Sequence, residues 1–282
     1  MSESTNSRFR QAATSFLSRC GLGPVVSPDL SSLKEIYPAF GQLPYENVSK
    51  IISHYREGSP ESPGMRSPAE VIEGFLADRL GGTCFSLTQA LWSLLGFCGF
   101  ECYRVLGDMH HGPNIHCAVV VELPGEKYLC DAGYLVPEPL RFERSGKSIL
   151  KGPLYTYLLE ADPRSEGVYQ LYTRSPGGKA ARWRYLIRDR AVSDMDFERF
   201  WRLSFDAPMN RQLLLTRNSD QGQVYIHKHK LRFTTVQGHT NNNIRLDLPE
   251  RIEELFGIDR DRVTYALSLI EQSETINRDK PR

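Results

Sequence analysis

Cys84 is the residue best suited to nucleophilic chemistry, because it follows a glycine pair at the predicted start of a helix. The Gly-Gly-Thr-Cys segment at residues 81–84 puts the thiol in the first helical turn, where backbone N–H groups lack partners and the helix dipole favours negative charge. Both effects stabilise a thiolate and lower the pKa of the thiol. Taken alone, this short motif is explained equally well by a packed cysteine at a helix start.

His116 and Asp131 are the residues that could assist this thiol. His116 lies in a predicted strand at residues 115–123, where a histidine among apolar neighbours is more often a core residue than a base. Asp131 ends the next predicted strand, and the turn at residues 124–127 would make the two strands antiparallel neighbours. A carboxylate beside an imidazole fixes its tautomer and stabilises its charged form. The combination predicts a catalytic set: Cys84 as nucleophile, His116 as base and Asp131 as the group that orients His116.

The remaining cysteines and histidines give weaker signals. His110, His111 and His116, with Cys117 nearby, suggest a zinc site, but their spacing matches none of the usual structural zinc patterns. We therefore expect no metal. Most of the six cysteines lie among apolar neighbours and are predicted to be buried free thiols. The chain has no glycine-rich phosphate loop of either common type.

The composition of the 282-residue chain is that of an ordinary globular protein, with 40% hydrophobic and 24% charged residues. Its 35 basic and 34 acidic residues give a net charge of +1, which does not indicate a nucleic-acid or membrane partner. No segment approaches the ~20 apolar residues that span a bilayer. Residues 1–10 lack the apolar core of a signal peptide. These features predict a cytoplasmic protein.

The elements that must position the candidate site change from helices to strands along the chain. The first helices are predicted at residues 9–20, 30–37, shortly after 48, 67–79 and 84–95. Strands follow at 101–107, 115–123, 128–131, 155–159, 168–173 and 182–187. The last third is predicted to hold a helix at 194–203, strands at 212–216, 223–227 and 231–235, and helices at 249–256 and 260–270. This order predicts an α+β protein with partly segregated layers.

An ordered set of motifs resembles the arylamine N-acetyltransferase family. Five segments of the chain are similar to motifs of that family. In chain order, residues 44–48 are similar to Pro-Phe-Glu-Asn-Leu, 81–85 to Gly-Gly-aromatic-Cys-Phe, 131–134 to Asp-Val-Gly-Phe, 137–140 to Pro-x-Pro-Leu and 256–258 to Phe-Gly-Ile. His116, in its predicted strand, resembles the family's histidine. The similarity covers most of the chain and preserves the order of the motifs.

The resemblance implies an N-terminal helical bundle, a central β-barrel and a C-terminal α/β lid around a papain- or transglutaminase-like Cys-His-Asp core. The bundle would carry the nucleophile, and the barrel would carry its two partners. These parts are expected at residues 1–98, 99–193 and 194–282. The resemblance further implies a ping-pong reaction in which acetyl-CoA, as co-substrate, acylates Cys84 and a small-molecule amine then accepts the acyl group. It implies no bound cofactor.

Departures from the family's motifs leave other functions open. Leu80 stands where the family has an arginine before Gly-Gly, and Ser86 and Thr88 replace two polar residues that follow the family's cysteine. The alternatives are an amide synthase that uses a carrier-bound acyl chain, a transglutaminase- or cysteine-protease-like hydrolase, and a non-catalytic binding protein on the same fold.

The missing arginine also leads to a structural expectation. In the family, the glutamate of the first motif pairs with that arginine, and Glu46 is retained here. A buried carboxylate without a partner is costly. Two arrangements avoid that cost: Arg79 reaches Glu46 through a one-residue bulge before Gly81, or Glu46 is exposed or hydrogen-bonded only to backbone donors. We expect the first, because a bulge before two glycines costs little and arginine is a bidentate partner.

Overall fold

The first part of the chain is helical. The computed structural model describes residues 3–23, 27–55, 64–178, 180–219 and 221–278. Its first five helices are α1 Glu3–Arg19, α2 Leu30–Phe40, α3 Val48–Tyr55, α4 Pro68–Asp78 and α5 Cys84–Phe97, and a two-residue strand, β1 Tyr45–Glu46, lies between α2 and α3. The predicted positions of these helices are confirmed to within a few residues at most ends.

Local capping explains where α4 begins and ends. Ser67 caps the helix: its hydroxyl accepts from the Glu70 N–H at 3.3 Å, and its own N–H donates to the Glu70 carboxylate at 2.7 Å. Pro68 occupies the first helical position, where its missing N–H costs nothing. The helix ends at Arg79, which adopts the left-handed conformation with φ of 57°. The chain therefore turns sharply just before the glycine pair.

The middle of the chain forms an antiparallel sheet of eight strands. The strands are β2 Glu101–Met109, β3 Gly112–Leu123, β4 Glu126–Cys130, β5 Leu140–Arg141, β6 Lys147–Lys151, β7 Thr156–Ala161, β8 Val168–Arg174 and β9 Arg182–Arg188. Their order is β5-β4-β3-β2-β9-β8-β7-β6, and the edge strands β5 and β6 lie next to each other, so the sheet is a nearly closed barrel. The predicted α+β class is confirmed. The short strands β5 and β6 were not predicted.

The last part of the chain combines helices with a second antiparallel sheet. Its elements are α6 Asp194–Leu203, a 3₁₀ helix Pro208–Arg211, β10 Leu214–Ser219, β11 Gly222–His227, β12 Lys230–Thr235, β13 Gly238–Asn243, α7 Leu248–Phe256 and α8 Arg260–Arg278. The sheet order is β1-β10-β11-β12-β13. Since β1 comes from the helical first part, this sheet joins the first part of the chain to the last part. No helix among the described residues is both long and apolar enough to cross a membrane.

Four hydrophobic clusters of described residues hold these parts together. One lies among α1, α2, α4 and α5, one joins α3 to β10, β11, α7 and α8, and one fills the barrel. The fourth packs Phe85 and Cys117 against three aromatic side chains of the α6 region: Phe197, Trp201 and Phe205. This aromatic cluster therefore connects the start of α5, strand β3 and the last part of the chain.

Gly81 lets the loop before α5 lie directly against β1. The N–H of Gly82 donates to the carbonyl oxygen of Pro44 at 3.3 Å, and the N–H of Glu46 donates to the carbonyl oxygen of Gly82 at 3.0 Å. A Cβ atom on Gly81 would lie 1.8 Å from the Pro44 oxygen. Only glycine permits this close approach, and the approach fixes the position of the start of α5 relative to β1.

We expect Gly81→Ala to destabilise the protein by about 1–3 kcal/mol, because backbone atoms must shift to admit the methyl group. The matched control is Gly96→Ala in the last turn of α5, where no atom lies within 4 Å of an added Cβ. Alanine stabilises a helix by up to about 1 kcal/mol relative to glycine. The urea midpoint of this control should therefore be no lower than that of the wild type. Urea unfolding monitored by circular dichroism measures both. Equal midpoints for the two variants would contradict the packing argument.

Candidate active site

Cys84 is the first residue of α5 and is half-buried. Thr83 occupies the N-cap position, but its hydroxyl makes no capping hydrogen bond, so side-chain capping does not satisfy the first-turn N–H groups. These N–H groups and the helix dipole favour negative charge at the Cys84 sulfur. The sulfur faces strand β3, where the carbonyl oxygen of Ile115 lies 3.9 Å away.

The structure brings all three predicted site residues together. Strands β3 and β4 pair across the predicted turn, with Val119 opposite Cys130, and Asp131 directly follows β4. The Nε2 atom of His116 lies 2.7 Å from Oδ2 of Asp131, and both side chains are buried. Because Nε2 is bound to Asp131, Nδ1 is the ring nitrogen left to exchange a proton with Cys84.

The carboxylate of Asp131 is wholly buried and accepts hydrogen bonds at both oxygens. The N–H of Tyr134 donates to Oδ1 at 2.8 Å, and the hydroxyl of Tyr185 donates to Oδ2, the oxygen that also contacts His116. Tyr185 lies on β9 and packs against the imidazole, with ring centroids 4.6 Å apart. Sequence analysis missed Tyr185, since nothing distinguishes it from any other buried residue of a barrel strand.

The electrostatics of the site favour a charged imidazole. Burial disfavours the charged form of His116, but the negative charge and hydrogen bond of Asp131 outweigh it and raise the pKa of His116 to about 10. The pKa of Cys84 is lowered well below its ordinary value by a hydrogen bond from Cys117 and by the hydrogen bond and charge of His116. The two shifts together favour a thiolate on Cys84 and a positive charge on the His116 imidazole.

Cys117 is a second thiol at the site. The hydroxyl of Thr88, one helical turn after Cys84, donates to the Cys117 carbonyl oxygen at 3.1 Å and lies 3.4 Å from the Cys117 sulfur. Burial and the hydrogen bond to Cys84 raise the pKa of Cys117 well above its ordinary value. The raised pKa favours the protonated form of Cys117, whose S–H donates to the Thr88 hydroxyl in this structure. Thr88, one of the departures from the family's motif, holds this donor in place.

Lys50 supplies a further positive charge. Its side chain is only 5% exposed, and its ammonium group donates to the carbonyl oxygen and hydroxyl of Ser204 at 2.9 and 2.7 Å. The ammonium also lies 4.4 Å from the ring centroid of Phe205. Burial lowers the pKa of Lys50 to about 8, and the negative charge of Cys84 opposes that shift. Lys50 thus ties α3 to the end of α6 and stabilises the thiolate.

Gly133 leaves the space in which Cys84 and His116 meet. A Cβ atom at this position would lie 2.7 Å from Cβ of Cys84 and 3.3 Å from Cε1 of His116. The Asp-Ala-Gly segment after β4 therefore does two things: it supplies the carboxylate, and two residues later it lets the chain pass close to the nucleophile.

The predicted contact between Arg79 and Glu46 is wrong. Arg79 is exposed and lies over the ring of Phe75, 5.5 Å from its centroid. Its left-handed backbone as the C-cap of α4 directs the side chain away from β1. Glu46 is fully buried and accepts hydrogen bonds from the N–H and the hydroxyl of Ser49 instead.

Arg66 compensates the charge of Glu46 from another direction. Its guanidinium donates to the carbonyl oxygen of Gly81 at 2.8 Å, and the charge of Glu46 favours the charged form of this arginine. Burial acts against that charge and lowers the pKa of Arg66. The nucleophile loop is therefore held by an arginine that precedes α4 rather than by one that follows it. No motif or spacing in the chain predicted this contact.

The histidines that suggested zinc do not gather around a common point. His110 packs edge-on against Trp183, with ring centroids 4.5 Å apart, whereas His116 binds Asp131. Over the residues that the structure describes, no group of three or more His, Cys, Asp and Glu side chains could hold a metal ion.

Comparison with known proteins identifies the family of this chain. A family model described as N-acetyltransferase matches residues 29–263. The chain is 23% identical over 199 residues to an uncharacterized acetyltransferase, YvcN, from Bacillus subtilis, and the match covers 66% of this chain and 75% of that protein. The prediction of an acetyltransferase is confirmed by this match to the family.

Solved structures share the fold. The arylamine N-acetyltransferase from Mycobacterium abscessus superposes with a TM-score of 0.75 at 19% identity, over 91% of this chain and 93% of the other. An arylamine N-acetyltransferase from Bacillus cereus, described as having a unique Cys-His-Glu catalytic triad, superposes with a TM-score of 0.70 at 19% identity, over 92% and 100% of the two chains. At this identity the likeness concerns the fold alone.

We expect Cys84 to be the one strongly nucleophilic thiol among the six cysteines. Burial raises the pKa of Cys98 to about 11 and that of Cys102 to about 12, and it also raises the pKa values of the three others: Cys20, Cys117 and Cys130. Limiting iodoacetamide below pH 7 should therefore alkylate Cys84 selectively, as measured by peptide mapping. Cys84→Ser should abolish labelling, and Cys130→Ser should not. Even labelling across several cysteines would contradict this assignment.

Proposed function

Because the chain belongs to the arylamine N-acetyltransferase family and is therefore an acetyltransferase, we propose that it moves an acetyl or other acyl group from acyl-CoA to an amine through a thioester on Cys84. The observation that supports this proposal is the buried Asp131–His116 pair beside a thiol of lowered pKa. In this proposal Cys84, His116 and Asp131 are the catalytic residues.

The first half-reaction uses the thiolate that the site stabilises. The Cys84 sulfur attacks the carbonyl carbon of the donor thioester, and a tetrahedral oxyanion forms. Unpaired N–H groups at the start of α5 are suited to stabilise that oxyanion. As the intermediate collapses, the bond from carbon to the donor sulfur breaks. The imidazolium of His116 gives its proton to the departing thiolate, which leaves acyl-Cys84 and a neutral imidazole.

The second half-reaction returns the site to its starting charge. The amine nitrogen attacks the acyl carbon, a C–N bond forms, and the bond from carbon to the Cys84 sulfur breaks. His116 accepts the proton that the amine loses, so the products are an amide and the thiolate–imidazolium pair. Asp131 fixes the tautomer of His116 and stabilises its positive charge in both half-reactions.

We also propose a division of the chain into three domains and the identity of the two substrates. We treat residues 1–98, 99–193 and 194–282 as helical, barrel and α/β lid domains around a papain- or transglutaminase-like core. Support for the lid comes from two contacts that bring the last part of the chain to the site: Lys50 with Ser204, and Phe85 with Phe197. The co-substrate is acyl-CoA and the acceptor a small-molecule amine.

Intact-mass analysis tests the proposal. Mixing the protein with acetyl-CoA should add the mass of one acetyl group, and a neutral arylamine such as 4-anisidine should then remove it as the acetylated amine. Cys84→Ser should form no thioester, whereas the matched variant Cys130→Ser should behave as the wild type. Initial rates that vary both substrates should give parallel reciprocal plots.

Other outcomes identify the alternatives. An adduct that water removes as fast as an amine would indicate a hydrolase. An adduct formed from a carrier-bound acyl group but not from acyl-CoA would indicate an amide synthase. No adduct from any acyl-CoA or carrier, together with intersecting reciprocal plots or no turnover, would overturn the covalent mechanism.

A further inference from the structure

An irregularity in the barrel lies close to the candidate site. Strands β8 and β9 change register between Leu171 and Tyr172. Leu171 pairs with Tyr185 and Tyr172 pairs with Trp183, so Arg184 has no residue opposite it. Such bulges re-aim a side chain and are frequent next to active sites. Here the bulge directly precedes Tyr185, the residue that donates to Asp131.

The side chain of Arg184 makes its contacts close to the candidate site. Its Nε donates to the hydroxyl of the buried Thr173 at 2.7 Å, and its guanidinium carbon lies 6.0 Å from the ring centroid of Tyr134. Tyr134 also contacts His116, with ring centroids 6.3 Å apart in an edge-to-face arrangement. The same aromatic ring therefore contacts both the guanidinium and the imidazole.

Arg184 differs from Arg188 in its charged partners. Arg188, on the same strand, pairs with Asp108 at 2.9 Å, but in the described part of the chain no carboxylate forms an ion pair with Arg184. Arg184 is half-buried, so its charge is only partly solvated. A cation in such a place is stabilised by an anion that arrives with a ligand, and the planar guanidinium suits carboxylate and phosphate.

We propose that Arg184 binds an anionic group of a substrate, a carboxylate or a phosphate, in a subsite next to the Cys84–His116 pair, with Tyr134 in contact with both Arg184 and His116. The proposal rests on the acyl transfer proposed above. A carboxylate would belong to the acceptor amine, and a phosphate to the donor. Because the two half-reactions are separate, the source of the anion can be identified.

The acceptor arm compares 4-aminobenzoate with its neutral analogue 4-aminobenzamide. If the carboxylate binds Arg184, Arg184→Gln should lower the ratio of kcat/KM for the acid to kcat/KM for the amide by about 10- to 100-fold, the usual loss when a hydrogen-bonded charged partner is removed. Arg184→Lys should lower it less, because it keeps the charge without the planar fork. The control Arg188→Gln should leave the ratio unchanged.

The donor arm compares acetyl-CoA with S-acetyl-N-acetylcysteamine, which carries no phosphate. If a donor phosphate binds Arg184, Arg184→Gln should slow acylation of Cys84 by acetyl-CoA relative to acylation by the short donor, as followed by intact mass. A lowered ratio in either arm supports the subsite and names its ligand. Ratios that Arg184→Gln leaves unchanged in both arms overturn it. Failure of the wild type to form any thioester would instead refute the proposed function.

Discussion

The charge of Asp131 is the constraint on which the rest of the site depends. A carboxylate with no exposure to water is costly unless its charge is compensated. Two donors, the N–H of Tyr134 and the hydroxyl of Tyr185, satisfy its lone pairs, but only His116 brings a positive charge. The imidazole is therefore held as a cation, and that cation in turn favours the thiolate of Cys84. The buried negative charge of Asp131 thus favours the charged imidazole, which together with the hydrogen bond from Cys117 favours the thiolate of Cys84.

Each part of the fold contributes one constraint to this arrangement. The pairing of β3 and β4 puts His116 next to Asp131, and the barrel closes around them so that β9 can supply Tyr185. Contact between Gly81 and the backbone of β1 fixes the start of α5, while Gly133 permits the approach of Cys84. These contacts join segments that are far apart in sequence. The nucleophile can therefore meet its partners only when the helical part and the barrel are both folded.

The sequence allowed prediction of features that depend on local patterns. Gly-Gly before Cys84, short strands rich in β-forming residues and a turn between His116 and Asp131 were enough to predict that the three residues come together. Features set by long-range packing could not be predicted: Tyr185 donates across the barrel, and Lys50 is buried against a distant helix end. The exposed polar strand Gly238–Asn243 was missed because it lacks apolar alternation. The Arg79 prediction failed because a left-handed helix cap, invisible in the spacing, redirects that side chain.

The central claim is that Asp131 maintains a thiolate–imidazolium pair, and titration of the thiolate tests it most directly. The ultraviolet absorbance of the wild type, minus that of Cys84→Ser, should reveal a thiolate at neutral pH that is lost only on acidification well below the ordinary thiol pKa of about 8.5. In Asp131→Asn the positive charge of His116 loses its support, so the thiolate should appear only at higher pH. A wild-type thiolate that appears near pH 8.5, unaffected by Asp131→Asn, would contradict the account.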